Sequence, residues 1–336
     1  MRFDIAPIAI AGATGAVGRE ALRVLESWDI PADRLALYAS PRSAGARIPY
    51  ASTHATVRAL RPGDLGRHAL VVFCASATLA RLHVPDAVLT GAVVVDASSA
   101  FREDPTVPLV IPEINAHLLD AAPRLVASPN CSTTILLTAL EPIRRAFGIT
   151  AITVSTYQAV SGAGQRGLDE LRAGAAAALA AHPEVPSVFP EPCAFNCFSH
   201  NSPVDPDSGL NVEERKIITE TRRIWNAPDL PVNPTCIRVP VERAHSESVT
   251  VELAEPAAEH QLRELLAFAP GVRVIDDRAA NRFPTPRASS GLDDVLVGRI
   301  RPVPHAPRDH INRSRAHNLW ICGDQLRKGA ALNALQ

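Results

Sequence analysis

Ile8-Ala-Ile-Ala11-Gly12-Ala-Thr-Gly15-Ala-Val-Gly18 is the stretch on which the reading of the fold turns. Four apolar residues run into a glycine-rich turn, and Val17, Ala21, Leu22, Val24 and Leu25 then recur at helical spacing as far as Trp28. Strand, glycine turn and helix in that order make the opening of a dinucleotide-binding unit. The glycines allow a tight turn and close backbone approach, and the first N–H groups of the helix face a pyrophosphate. A plain structural turn is the alternative reading of a glycine triplet taken alone. The stretch from Met1 to Gly12 reads as a first strand and not as a signal peptide, because it lacks a basic leading region.

Working outward, Leu35 to Ala39, Ala69 to Cys74 and Val93 to Asp96 are further short apolar runs separated by helical stretches. Such runs, bounded by turn residues, predict a doubly wound parallel sheet of Rossmann type in an α/β fold. Beyond Thr150 the texture changes. Ile152 to Tyr157, Cys236 to Val241, Ser248 to Leu253 and Asp294 to Arg301 are longer, several with alternating apolar residues. They predict a mixed or antiparallel sheet in a second, α+β domain, covered by helices over Gln165 to Ala181 and Glu213 to Trp225. Ser132 to Phe147 is a further amphipathic helix, and the proline-rich segments 183–192, 228–234 and 302–307 are expected to be loops.

Composition narrows the function. The 336 residues are 46% hydrophobic and 21% charged, with a formal net charge of -1, so no global field attracts nucleic acid or a membrane surface. Aromatics at 4% argue against a base-stacking surface. No stretch approaches the roughly 20 consecutive apolar residues of a membrane span. Six cysteines are scattered, with no paired spacing for zinc or a disulfide framework, and a reducing cytoplasm is the expected compartment. No metal is expected.

Two local patterns carry chemistry. The second strand ends in Ser40-Pro-Arg42-Ser43, where an enzyme that uses NAD would carry an acid for the ribose 2′-hydroxyl. A hydroxyl beside an arginine suits a 2′-phosphate, hence NADP; an arginine solvated on a loop is the bland alternative. Ser128-Pro-Asn-Cys131-Ser-Thr-Thr134 places a cysteine at the mouth of a helix, where N–H groups and the dipole favour a thiolate nucleophile. The bland reading, a small buried apolar residue, is the one expected for the other five cysteines. His245, in Ile237-Arg-Val-Pro-Val-Glu-Arg-Ala-His245-Ser-Glu, is expected in an accessible polar turn near its ordinary pKa, able to exchange a proton near neutrality. Arg238 in the same run has the planar fork for a carboxylate. The other ten histidines are expected to be surface or packing residues.

Taken together these motifs resemble the aspartate-semialdehyde dehydrogenase family along nearly the whole chain. The segments are GATGAVG (12–18), SPRSAG (40–45), SSAFR (98–102), PLVIPEIN (108–115), SPNCSTT (128–134), STYQAVSGAG (155–164), IRVPVERAHSE (237–247) and LRKGAALNALQ (326–336). The resemblance implies Cys131 as nucleophile, His245 as general acid/base and Gln158 as the residue that orients the substrate. It implies Arg238 for the substrate carboxylate and Glu213 for its amino group. Arg102, Asn130 and Lys216 would hold phosphate. Gly12, Thr14, Gly15, Ala16, Val17, Ser40, Arg42, Ser43 and the loop Ser161, Gly162, Ala163 and Gly164 would contact NADP. Lys216 and Lys328, the two lysines against 32 arginines, both fall in such motifs. An NADP-binding domain over 1–130, rejoined by a C-terminal helix 323–336, and a catalytic and dimerisation domain over 131–322 are implied, as are a homodimer and inorganic phosphate as co-substrate. Three residues depart from the family pattern. Ala244 replaces a glycine common before the histidine and would be strained at positive φ. Ile135 and Gln325 replace a glutamine and an asparagine. The competing readings are an N-acetyl-glutamyl-phosphate reductase, whose cysteine motif differs, and a non-catalytic paralogue of the same fold.

Overall fold

The computed structural model describes residues 7–336; the start of the expected first strand, residues 1–6, lies outside them. The described chain divides into two compact units, one of residues 7–129 with Ala330–Gln336 and one of Asn130–Gly329.

In the first unit β1 (Ile8–Ala11) leads through the glycine turn into α1 (Ala16–Ser27), followed by β2 (Leu35–Ala39), β3 (Arg47–Tyr50) and β4 (Thr53–Ala59). Then come β5 (Leu70–Phe73), α2 (Ala77–Leu89), β6 (Val93–Asp96), the short α3 (Pro112–Asn115) and β7 (Leu125–Ala127). The sheet order is β3-β4-β2-β1-β5-β6-β7, parallel except for the edge strand β3. Side chains alternate across β1. Ile8 and Ile10 join Leu22 and Leu25 of α1 on one face, whereas Ala9 and Ala11 join Ala80 and Val84 of α2 on the other. Both faces are thus covered, as a parallel sheet requires, and each fully buried leucine or isoleucine contributes roughly 1.5–3 kcal/mol.

In the second unit α4 (Cys131–Phe147) precedes β8 (Ile149–Gln158), α5 (Gln165–Leu179), β9 (Phe198–Ser199), α6 (Val212–Ile224) and β10 (Val232–Arg238). β11 (His245–Ala257), α7 (Glu259–Ala267), β12 (Val272–Val274), the short α8 (Pro286–Ser289), β13 (Val295–Pro302) and β14 (Ser314–Gly323) complete it. The mixed sheet runs β12-β13-β14-β11-β8-β10-β9, with β11 antiparallel to both β8 and β14 and β10 parallel to β8. α4 packs on β11 and β14 and against α6 and α7.

Three expectations need correction. Residues 232–234 are strand, not loop. Pro234 is tolerated because β9 pairs with β10 only at Ile237 and Arg238, so at Pro234 the strand is an edge. The same strand stops at Arg238 rather than at Val241. The C-terminal helix does not begin at residue 323, since Gly323 still belongs to β14. The Asp324 carboxylate accepts from the N–H groups of Leu326 (3.0 Å) and Arg327 (3.1 Å), which delays the helical path to a π-helical turn, Arg327–Ala331, and α9 (Leu332–Leu335).

Candidate active site

The glycine turn of the first unit is built for close approach. Gly12 has φ +88°, and a Cβ placed on it would stand 2.7 Å from the carbonyl oxygen of Cys74, so neither conformation nor space admits a side chain. Gly15, the N-cap of α1, offers no side-chain cap, which leaves the first N–H groups of the helix to an anion. Thr14 lies on the same turn, and Ala16 and Val17 are the first residues of α1. The backbone N–H groups of Gly12 and Ala13 donate to the Tyr38 carbonyl, tying this turn to the end of β2. There Ser40, Arg42 and Ser43 form a 3-10 turn, with Ser40 and Arg42 exposed and no acid at the strand end. A Cβ-free cradle at a helix N-terminus and a cation beside two hydroxyls fit a phosphorylated dinucleotide. Arg102, beyond the end of β6, donates from Nη2 to the Ala97 carbonyl at 3.0 Å.

The second unit assembles the reacting groups. Cys131 is the first residue of α4, and its Sγ lies 3.6 Å from His245 Nε2, although 114 residues separate them. His245 is fully buried at the start of β11, not accessible in a turn as its polar neighbours suggested. Burial first, and then the nearby Arg238 guanidinium, push its pKa down to about 3, against the raising effect of Glu213. The Ala159 N–H donates to His245 Nδ1 at 3.0 Å. Gly162 stands over the ring, and a Cβ there would meet the imidazole and Arg238 at ordinary contact distance.

Arg238 closes β10 in register with Gln158 at the end of β8. Its Nη1 donates to the Ala159 carbonyl at 2.6 Å, and its Nη2 meets His200 Nε2 at 2.8 Å and Asn201 Oδ1 at 3.0 Å. The buried Nε has no hydrogen-bond partner among the described residues. Gln158, also buried, donates to Thr156 Oγ1 at 3.1 Å. Glu213, in the first turn of α6, accepts from Asn130 Nδ2 at 2.7 Å and Lys216 Nζ at 3.1 Å. Burial alone would raise its pKa, but Lys216, His200 and the Asn130 bond outweigh it and hold the carboxyl at about 2. Asn130 is heavily engaged within the protein. Its Oδ1 caps α4 by accepting from Ser132 and Thr133, and its own N–H donates to Glu220 Oε2 at 2.5 Å.

Ala244 does adopt the left-handed conformation, at φ +73°, and it is completely buried. That geometry costs a non-glycine residue about 1–2 kcal/mol. A specific hydrogen bond offsets part of it, since the Ala244 N–H donates to Gln325 Oε1 at 2.7 Å. Gln325 Nε2 in turn donates to Ser161 Oγ, so this glutamine joins the turn before His245 to the Ser161–Gly164 loop. Beside it, the buried Asp324 pairs with Arg243 at 2.6 Å. Gly329 is fixed by space: a Cβ there would lie 2.9 Å from that of Cys131.

Sequence reading passed over His200, Asn201, Glu220 and Gly329. His200 is no surface histidine, being the partner of Arg238 with a pKa lowered to about 4 by burial. Nothing in the local pattern of a proline-rich loop marks it. Gln325 had a signal, its departure from the family residue. Among the other cysteines, burial pushes Cys193 up to about 11 and Cys74 and Cys322 to about 12, which keeps them as thiols. Cys197 differs from expectation, because it is exposed.

The chain matches the family models of the semialdehyde dehydrogenase NAD-binding domain over residues 7–122 and the semialdehyde dehydrogenase dimerisation domain over residues 140–328. An aspartate-semialdehyde dehydrogenase of Synechocystis is 41% identical over 329 residues, 98% of this chain and 95% of the relative. That of Bacillus subtilis is 39% identical over 337 residues, with 98% and 95% covered. This chain belongs to the aspartate-semialdehyde dehydrogenase family. It is therefore an oxidoreductase with a nicotinamide-dinucleotide domain and a dimerisation domain. The crystal structure of the Vibrio cholerae aspartate semialdehyde dehydrogenase II complexed with ASA superposes with a TM-score of 0.91 at 39% identity, covering 99% of this chain and 97% of that one. A Candida albicans family structure with NADP, 21% identical and with a TM-score of 0.73, shares the fold. No helix among the described residues is long and apolar enough to cross a membrane.

Proposed function

We propose that the chain reduces L-4-aspartyl phosphate to L-aspartate 4-semialdehyde with NADPH, through a thioester on Cys131. It would act as a cytoplasmic homodimer in lysine, threonine and methionine biosynthesis. The observation that carries the reading is the Cys131 sulfur at 3.6 Å from a buried imidazole, with a buried cation and a buried anion, Arg238 and Glu213, on neighbouring elements. An amino acid with both α-groups charged needs such a pair, because burying either charge unmatched costs several kcal/mol.

Cys131 attacks the acyl phosphate carbonyl, and phosphate leaves from the tetrahedral adduct to give the thioester. Arg238 takes the α-carboxylate and Glu213 the α-ammonium, while Gln158 orients the reacting carbonyl. Lys216 and Asn130 would hold the phosphate, and the family resemblance adds Arg102 to that role. NADPH, when bound, would supply the hydride; Gly12 and Thr14 to Val17 would hold its pyrophosphate, Ser40, Arg42 and Ser43 its 2′-phosphate, and the resemblance adds the Ser161 to Gly164 loop as a contact. His245 acts as the general acid/base, taking and returning the proton at sulfur and oxygen. The thioester reading is tested by Cys131→Ser, which should cut turnover by on the order of 10³-fold or more while cofactor binding persists. A variant that keeps a tenth of the activity sinks it.

A further inference from the structure

We infer that His200 is a positioning residue of this reaction. Held between Arg238 and Ser202, its imidazole sets the spacing between the carboxylate receptor Arg238 and the ammonium receptor Glu213, and so tunes the site to an α-amino acid. This rests on the reading of Arg238 and Glu213 as those receptors.

Hydrogen bonds run without a break from one receptor to the other. Arg238 Nη2 lies 2.8 Å from His200 Nε2, and His200 Nδ1 lies 3.1 Å from Ser202 Oγ. Ser202 Oγ in turn accepts the backbone N–H of Glu213 at 3.2 Å. A guanidinium only donates, so His200 Nε2 must offer its lone pair. The one hydrogen of a neutral ring then sits on Nδ1, where Ser202 Oγ is able to accept it. The Ser202 N–H, 3.2 Å from the same nitrogen, stands outside that bond. The ring is anchored to the strand it serves, because the His200 N–H donates to the Cys236 carbonyl at 2.9 Å, beside the pairing of β9 with Ile237 and Arg238. Burial pushes the His200 pKa down to about 4, opposed by Glu213 and assisted by Arg238 and Lys216, which keeps the ring neutral at neutral pH.

Arg238 has a long side chain with many rotamers, and its guanidinium meets a carboxylate well only when its plane is fixed. The Ala159 carbonyl holds Nη1 at 2.6 Å, and the Phe189 ring centre lies 5.4 Å from the guanidinium carbon. Neither belongs to α6, the helix that carries Glu213. His200, with Asn201 beside it on Nη2, supplies the missing tie, since its Ser202 partner holds the first turn of α6. The α-carboxylate and α-ammonium of an amino acid share one carbon, so their receptors must keep one spacing. A misplacement of about 1 Å at such a site can cost on the order of 10²-fold. An apolar side chain at position 200 would leave the buried Nη2 without its nearest partner, and a charged one would repel the guanidinium.

The test is steady-state kinetics of the full-length chain in the oxidative direction, with KM measured separately for aspartate semialdehyde, phosphate and NADP. His200→Leu should raise KM for aspartate semialdehyde by roughly tenfold or more, the scale of one lost charge-assisted hydrogen bond, and move the other two by about twofold at most. His200→Gln, whose amide can accept from Arg238 and donate to Ser202, should recover most of that loss. Ser202→Ala spares the ring and cuts the link beyond it. It should raise the same KM by a smaller factor and add nothing to His200→Leu when the two are combined. The inference is overturned by an unchanged KM for aspartate semialdehyde in His200→Leu, by a rise shared equally with phosphate and NADP, or by equal impairment in the Leu and Gln variants. Effects of the two single variants that multiply in the double variant also overturn it. Should the Leu variant not fold, Ser202→Ala decides alone, and an unchanged KM there is the refuting result. Failure of the receptor reading shows separately, as an unchanged KM for aspartate semialdehyde in Arg238→Lys.

Discussion

Glu213→Gln should destabilise the protein by an amount that depends on pH in a defined way. Glu213 is buried, and its carboxyl is held at about 2, where 4.5 is ordinary. That difference of about 2.5, at about 1.4 kcal/mol each, is about 3 kcal/mol. The bonds present support the same scale: two charge-assisted hydrogen bonds, from Asn130 and Lys216, contribute about 1.5–3 kcal/mol each before the burial cost is subtracted. The folded-state pKa is depressed, so the stabilisation is complete above about 4.5 and is lost as pH falls through about 2. Urea unfolding of wild type and variant in parallel, at pH values from about 7 down to about 3, isolates this group, because every other carboxyl titrates in both proteins. The stability gap should be of the order of 3 kcal/mol at neutral pH and shrink steadily below about pH 4.5. A gap that stays constant across the range would show that Glu213 contributes through its shape and not its charge, which would remove the electrostatic basis for its pairing with Lys216.

Arg238→Lys should raise KM for aspartate semialdehyde by roughly tenfold or more despite the retained charge, because an ammonium cannot both grip the Ala159 carbonyl, His200 and Asn201 and present a further N–H to a carboxylate; an unchanged KM would remove the carboxylate role. Lys216→Ala should chiefly raise KM for phosphate, and an equal effect on NADP would undo the division of roles. Arg42→Ala should weaken NADP by about tenfold and leave NAD nearly untouched, since one charge-assisted bond to an exposed arginine sits at the low end of about 1.5–3 kcal/mol. Parallel titrations with both cofactors decide it, and equal losses would assign Arg42 to the fold.

What the sequence determined by itself is local. Apolar periodicity records which way successive side chains point, so β1, the glycine turn and α1 were legible within twenty residues, as was Cys131 at the start of α4. The end of β2, with Arg42 and no acid, is equally local. The family motifs added the roles expected of Gln158, Arg238 and His245. Tertiary structure decided the rest, because burial and proton affinity depend on what packs against a residue from distant parts of the chain. The polar run Glu242-Arg-Ala-His245 reads as an accessible turn, yet the ring is fully buried, with Cys131 Sγ beside its Nε2 and the N–H of Ala159 donating to its Nδ1. Whether Ala244 would be strained turned on one dihedral angle, and the side chain that steadies it, Gln325, comes from 81 residues away. Pro234 reads as a loop residue because sequence cannot show that its side of the strand has no neighbour. His200 carries no mark in sequence, since its importance lies wholly in the guanidinium it meets.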